Sequence, residues 1–141
     1  MRPFLFAILA SVFSIISCQE DPKKTAEYAQ MQRILSLHDE VMPEMSTISK
    51  QITALESVFH MDSTQMALGE SIEELKGANQ AMMQWMMDFS EVFSTEEIMG
   101  KEIISSDKRS LLEDYESSAL ALKKKMLGAI ERADSLKSDL N

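Results

Sequence analysis

The sequence predicts an all-α fold: an antiparallel up-down-up three-helix bundle with heptad packing, preceded by a signal-peptide helix. Three observations predict it. Apolar residues recur in steps of three and four along three segments of similar length, a spacing that helices produce and strands do not. The intervals between those segments carry capping and turn residues. Ahead of them stands a short apolar run without a charge.

That run follows Met1-Arg2-Pro3 and extends from Phe4 to Ile16. One positive residue and then a brief apolar stretch is the pattern of a secretion signal. It is shorter than the about 20 apolar residues a membrane-spanning helix needs, and it lacks the polar face of a surface helix. It ends Ile15-Ile16-Ser17-Cys18, which resembles the lipobox of bacterial lipoproteins: an aliphatic residue, a tolerant position, a small residue, then the modified cysteine. The resemblance implies that residues 1–17 are cut away, that Cys18 is lipidated, and that residues 18–24 form a short tether. Two acyl chains hold a protein to a membrane where one does so only marginally. Cys18 is the only cysteine, so no internal disulfide can form. The competing reading of Cys18 is a buried structural cysteine. Gln19 in place of aspartate resembles lipoproteins sent on to the outer membrane, and Glu20-Asp21 resembles the surface-export signal of some Gram-negative groups.

Residues 25–141 are then the bundle, with helices at about 22–60, 63–93 and 107–140. Asp21-Pro22 suits an N-cap followed by proline in the first helical position. The first seam is Met31, Ile34, His38, Val41, Met45, Ile48, Ile52, Leu55 and Phe59. Pro43 interrupts it: the ring crowds the carbonyl of Asp39, removes a backbone donor and disfavours helical geometry at Met42. A kink or a fresh helix start is expected at residues 39–43. Asp62 or Ser63 can cap the second helix, whose seam is Leu68, Ile72, Leu75, Asn79, Met82, Met86, Phe89 and Phe93. Ser94-Thr95-Glu96-Glu97 is a capping box for a short helix that closes near Gly100. Ser105 to Ser110 reads as a loop. The third helix starts near Asp107, or at Ser110 with Glu113 as box partner, and its seam is Leu112, Tyr115, Ala119, Leu122, Met126, Ala129, Ala133, Leu136 and Leu140. The alternative architecture is a two-helix hairpin that dimerises, with the third helix swung away.

Composition excludes several functions. After Cys18 the chain keeps 13 basic against 23 acidic residues, a net of −10. Nucleic acid is therefore not an expected partner, because binding a polyanion needs clustered positive charge; Lys123-Lys124-Lys125 reads as a solvated helix face. Catalysis is not expected either. The glycines are scattered rather than gathered into a phosphate loop, and the one cysteine is the lipid site. The Glu-x-x-His pairs of a di-iron bundle are absent, because Leu35 and Ser57 stand three residues before His38 and His60.

Twelve methionines are the unusual feature. Pairing the first two helices about a turn at residue 61 or 62 sets His38 beside Met82, Trp85 and Met86, with Tyr115 or Ala119 at the same level. His38 and Met42 share a helix face by their spacing of four, as do Met82 and Met86. An imidazole with soft thioethers suits Cu(I) better than zinc, magnesium or calcium, and a nearby indole can lie over a cation. The ligand inventory alone resembles that of periplasmic copper chaperones of small barrel fold. The plainer reading is that methionine fills gaps in a helical core, and that His38 and Asn79 fix register at polar seam positions.

Two stretches carry a further resemblance: His38-Asp39-Glu40-Val41-Met42-Pro43-Glu44-Met45, and Ala78 through Phe89 with its Met82-Met83-Gln84-Trp85-Met86-Met87 core. They look like those of small bacterial lipoproteins often labelled viral A-type inclusion protein. The resemblance implies a lipoprotein of unknown function and supplies no catalytic residues to carry over. The expectation is a non-catalytic scaffold or partner-binding factor, held to the membrane by its N-terminal lipid and open to a protein partner or a second copy. Its alternative is a Cu(I) protein using His38, Met42, Met82 and Met86, with Trp85 adjacent.

Overall fold

A computed structural model describes residues 21–61 and 65–139. The signal segment, Cys18, the capping candidates Asp62 and Ser63, and Leu140 lie outside them. Within them every regular element is helical: a 3₁₀ turn at Pro22–Lys24, α1 (Ala26–Val41), α2 (Glu44–Met61), α3 (Met66–Val92), α4 (Thr95–Ile98), a second 3₁₀ turn at Ser106–Lys108, and α5 (Arg109–Asp139). None of the described helices is long and apolar enough to cross a membrane.

The helix starts differ from expectation by a few residues, each for a local reason. Asp21 does cap a turn, accepting from the Lys23 N–H at 3.1 Å, but that turn is 3₁₀ and spans only Pro22–Lys24. Thr25 then ends it and caps α1, its hydroxyl accepting from the Tyr28 N–H. Two capping residues four apart thus divide what the sequence suggested was one start at residue 22. The second long helix begins at Met66 rather than at 63, behind Gln65. The third begins at Arg109, because Ser105 and Asp107 shape a 3₁₀ turn ahead of it.

Pro43 divides the first long helix as expected, yet Met42 keeps helical geometry (φ −56°, ψ −40°), which corrects the expectation that proline would push it extended. The Met42 N–H still donates to the His38 carbonyl at 2.8 Å. Beyond the proline the backbone tightens, with Met45 donating to Met42 and Ser46 to Pro43, both at 3.2 Å. Burial on both sides holds this turn in place. Val41 and Ile48 are buried and Met45 packs against the core, so the heptad runs through the break without slipping.

Four long helices pack on one another. α5 packs along α1, α2 and α3, and α2 also packs on α3, whereas α1 meets α3 mainly through the His38–Trp85 ring pair. Side-chain pairs show the register of the first two helices on α5. Arg33 reaches Glu116 and Gln51 reaches Asp134, each pair 83 residues apart in sequence. Glu27–Arg109 and Glu40–Lys123 follow nearly the same step. The core is built from the predicted seams: Met31, Ile34, Ile48, Leu55, Leu75, Met82, Leu112 and Met126 are fully buried. α3 buries a second column as well, Ser71, Ala78 and Trp85, spaced by sevens. It has two neighbours to cover, and one seam is too narrow for both.

The link after α3 behaves as its residues dictate. The Ser94 hydroxyl accepts from the Glu97 N–H and the Glu97 carboxylate accepts from the Ser94 N–H, closing the capping box. Gly100 then turns left-handed (φ 66°), a conformation glycine adopts without steric cost. A Cβ there would lie 2.5 Å from a Tyr28 ring carbon, so the same glycine lets the link pack onto the start of α1.

Candidate functional site

Where α1, α3 and α5 meet, aromatic side chains from all three form a wedge. Trp85 and Phe89, four apart on α3, stack at 4.9 Å between ring centroids and 11° between planes. The His38 ring also stacks on the indole, 5.7 Å away and 17° off parallel. Tyr115 from α5 meets Trp85, Phe89 and Phe93 edge-on at 5.8, 5.2 and 5.7 Å. Such offset and edge-on arrangements add about 0.5–1.5 kcal/mol per pair beyond buried area.

The polar atoms of the wedge are unevenly satisfied. The Trp85 indole N–H donates to the Ser118 hydroxyl at 2.9 Å, and that hydroxyl donates to the Tyr115 carbonyl at 3.0 Å. The His38 Nδ1 sits 3.0 Å from an Asp39 carboxylate oxygen, while Nε2 is buried without a partner. Burial raises the Tyr115 hydroxyl above its ordinary pKa, and the charges of Asp88 and Glu91 push in the same direction. The tyrosine therefore stays a neutral phenol. Ser118→Ala strips the indole of its acceptor; an orphaned buried donor costs about 1–3 kcal/mol, so urea unfolding is expected at lower denaturant with a shifted Trp85 emission.

The structure brings His38 and Trp85 together, at the level to which the register argument assigned them. It gives the methionines different surroundings. Met82 is fully buried, Met86 packs half-covered against the core, and Met42 is 48% exposed. Met83 and Met87, one step round α3, are also exposed. Among the described residues no three histidine, cysteine or acidic side chains gather as metal ligands, so thioethers would have to complete any coordination around His38. Cys18 lies outside the described residues.

Two polar features were not legible in advance. Ser118 faces Trp85 because it stands three residues beyond Tyr115, a spacing that could have flagged it. Glu97, read only as a capping residue, is also 5% exposed and paired with Lys108 at 2.7 and 3.0 Å. The Lys108 ammonium in turn lies 5.7 Å from the centre of the Phe93 ring. Burial pushes the Glu97 carboxyl up, but the Lys108 hydrogen bonds, the Ser94 N–H and the Lys108 charge outweigh it and hold the carboxyl below its ordinary value.

Surface grooves occur elsewhere. One of about 280 Å³ lies between α3 and α5, beside Glu70, Glu74 and Arg132, and one of about 370 Å³ lies between α2 and α3, beside Glu56, Phe59 and Lys76. Neither includes His38 or Trp85. No protein family, curated protein or solved structure matches this chain.

Proposed function

We propose that this chain is a non-catalytic lipoprotein of the bacterial cell envelope, anchored to the outer membrane through lipid on Cys18 and presenting a helical scaffold for a protein partner. The single observation that carries this reading is the uncharged run from Phe4 to Ile16 ending in Ile15-Ile16-Ser17-Cys18. The architecture in this reading is an up-down-up three-helix bundle, with α1 and α2 as one rod bent at Pro43. Its support is the nearly constant step of the α1–α5 and α2–α5 pairs, together with Glu74–Arg132 and Trp85–Ser118, whose positions run in opposite directions along α3 and α5. The resemblance to small lipoproteins supports the same reading, since His38 and Trp85 come one from each resembling stretch and stack. Cys18→Ser is expected to move the full chain from the membrane fraction to the soluble fraction. Retention in the membrane of a Cys18→Ser chain from which residues 1–17 have been removed would contradict the anchor.

A second reading is favoured by one observation, the buried Nε2 of His38 that has no partner. A buried nitrogen lone pair or N–H left unmade is costly, and a Cu(I) ion between it and the thioethers of Met82, Met86 and Met42 would use it. The two readings separate cleanly. As a packing residue, His38 tolerates His38→Gln for about 1.5 kcal/mol or less, and the protein takes no Cu(I) from a coloured chelator under anaerobic conditions. As a ligand, it withdraws copper stoichiometrically, with Trp85 fluorescence quenched and both effects abolished by His38→Gln.

A further inference from the structure

We propose that the end of the bundle formed by the residue 99–105 link rests on the lipid surface, with Met99 and Ile103 inserted at the interface. The inference depends on the Cys18 anchor proposed above and says which part of the domain meets the membrane. Three observations carry it.

The first is where the tether enters. Cys18 precedes Asp21 by three residues, and three residues reach at most about 10 Å. Lipid on Cys18 therefore brings headgroups to the turn at Pro22–Lys24. The second is what packs on that turn. α4 touches α1, and Gly100 lies so close to Tyr28 and Lys23 that an added Cβ would stand 2.5 and 3.0 Å from their side chains. The link and the tether thus share one end of the molecule. The third is what the link exposes. Met99 is 49% and Ile103 41% exposed, and Leu111 in the first turn of α5 is 37% exposed, while Ile104 between them is buried and fastens the link to the core. Lys23 lies beside Gly100, Lys101 follows that glycine in the chain, and Lys24 pairs with Asp21 at 3.4 Å; such lysine stems are long enough to lie along an apolar surface while their ammonium groups stay among lipid headgroups. Glu96 and Glu102 accompany them, so the surface suits the interface of a zwitterionic bilayer rather than a strongly anionic one. Met61 and Met66 are even more exposed, but they occupy the opposite end, about 45 Å away along α5.

The test uses the full chain, processed and lipidated in a bacterium and reconstituted into phosphatidylcholine vesicles. Because Cys18 is the only cysteine and its sulfur carries lipid, a single added cysteine is the one free thiol. Ile103→Cys, Met61→Cys and Leu127→Cys are each labelled with an environment-sensitive dye, and quenching by nitroxide-headgroup lipid is measured after flotation. The expected result is blue-shifted emission and several-fold stronger quenching at position 103 than at 61 or 127. Flotation with no quenching at 103 keeps the anchor but overturns the seating. Quenching at 127 equal to or above that at 103 means that the bundle lies on its side, and also overturns it. Failure to float removes the anchor itself and this inference with it.

Discussion

Phe93→Ala is expected to lower the unfolding free energy by about 3–5 kcal/mol, the usual loss for a truncated aromatic in a core. Among the described residues Phe93 is the largest fully buried side chain, at 1% exposure, and it sits where α3 hands over to the capping box. Its ring touches Phe89 and Tyr115 at 5.1 and 5.7 Å and carries the Lys108 ammonium at 5.7 Å. Removing it opens a cavity among rigid aromatic neighbours, which cannot collapse into the space as aliphatic chains do. It also takes away the surface against which the Glu97–Lys108 pair is held. Urea unfolding of the wild type and the variant, followed by Trp85 fluorescence and by helical circular dichroism, reads the loss directly. Phe93→Leu should restore most of it. If Phe93→Ala cost under about 1 kcal/mol, the aromatic wedge would not be part of the cooperative core.

Glu97 carries the second large effect. Its carboxylate serves two partners, accepting the Ser94 N–H at 2.9 Å and binding Lys108 at 2.7 Å, with its side chain 6% exposed. Glu97→Gln preserves an acceptor for the capping box and deletes only the charge. Breaking a buried ion pair from one side costs about 3–5 kcal/mol, and Lys108 keeps 26% of its side chain in water. The expected loss at neutral pH is therefore about 2–3 kcal/mol. The sign of the pH dependence follows from the direction of the shift. The folded-state pKa lies below the ordinary 4.5, so the stabilisation is present in full above that value and is lost as pH falls through the depressed one. Wild type and Glu97→Gln should differ most at neutral pH and converge in acid. Glu116, lowered by its hydrogen bond from Arg33, strengthens the same acid sensitivity at the α1–α5 contact. Parallel denaturation curves for the two proteins at every pH would exclude the pair as a source of stability.

The helical class and most core positions were legible because burial in a bundle imposes a period that the chain cannot hide. Met31, Ile34, Val41, Ile48 and Leu55 keep one seam across Pro43, and all are buried. The capping box at Ser94 was legible for a similar reason, since two side chains three residues apart must reciprocate. The second column of α3 was not legible. Ser71, Ala78 and Trp85 are buried because more than one helix presses on α3, with α1 reaching Trp85 through His38, and how many neighbours a helix has is a tertiary fact. Starts at Ala26 and Arg109 were missed because neighbouring capping residues compete, and small differences in turn energy decide between 3₁₀ and α geometry. At the candidate site, antiparallel pairing was enough to set His38 against Trp85. Side-chain exposure was beyond it, and exposure is what separates buried Met82 from half-exposed Met42.

Lipid on Cys18 is tested directly by the intact mass of the full chain extracted from bacterial envelopes. The expected mass is that of a chain that begins at Cys18 and carries a diacylglyceryl group on its sulfur and an acyl group on its new amino terminus. A chain that keeps residues 1–17, or one with a free Cys18 thiol recovered from the soluble fraction, would contradict it.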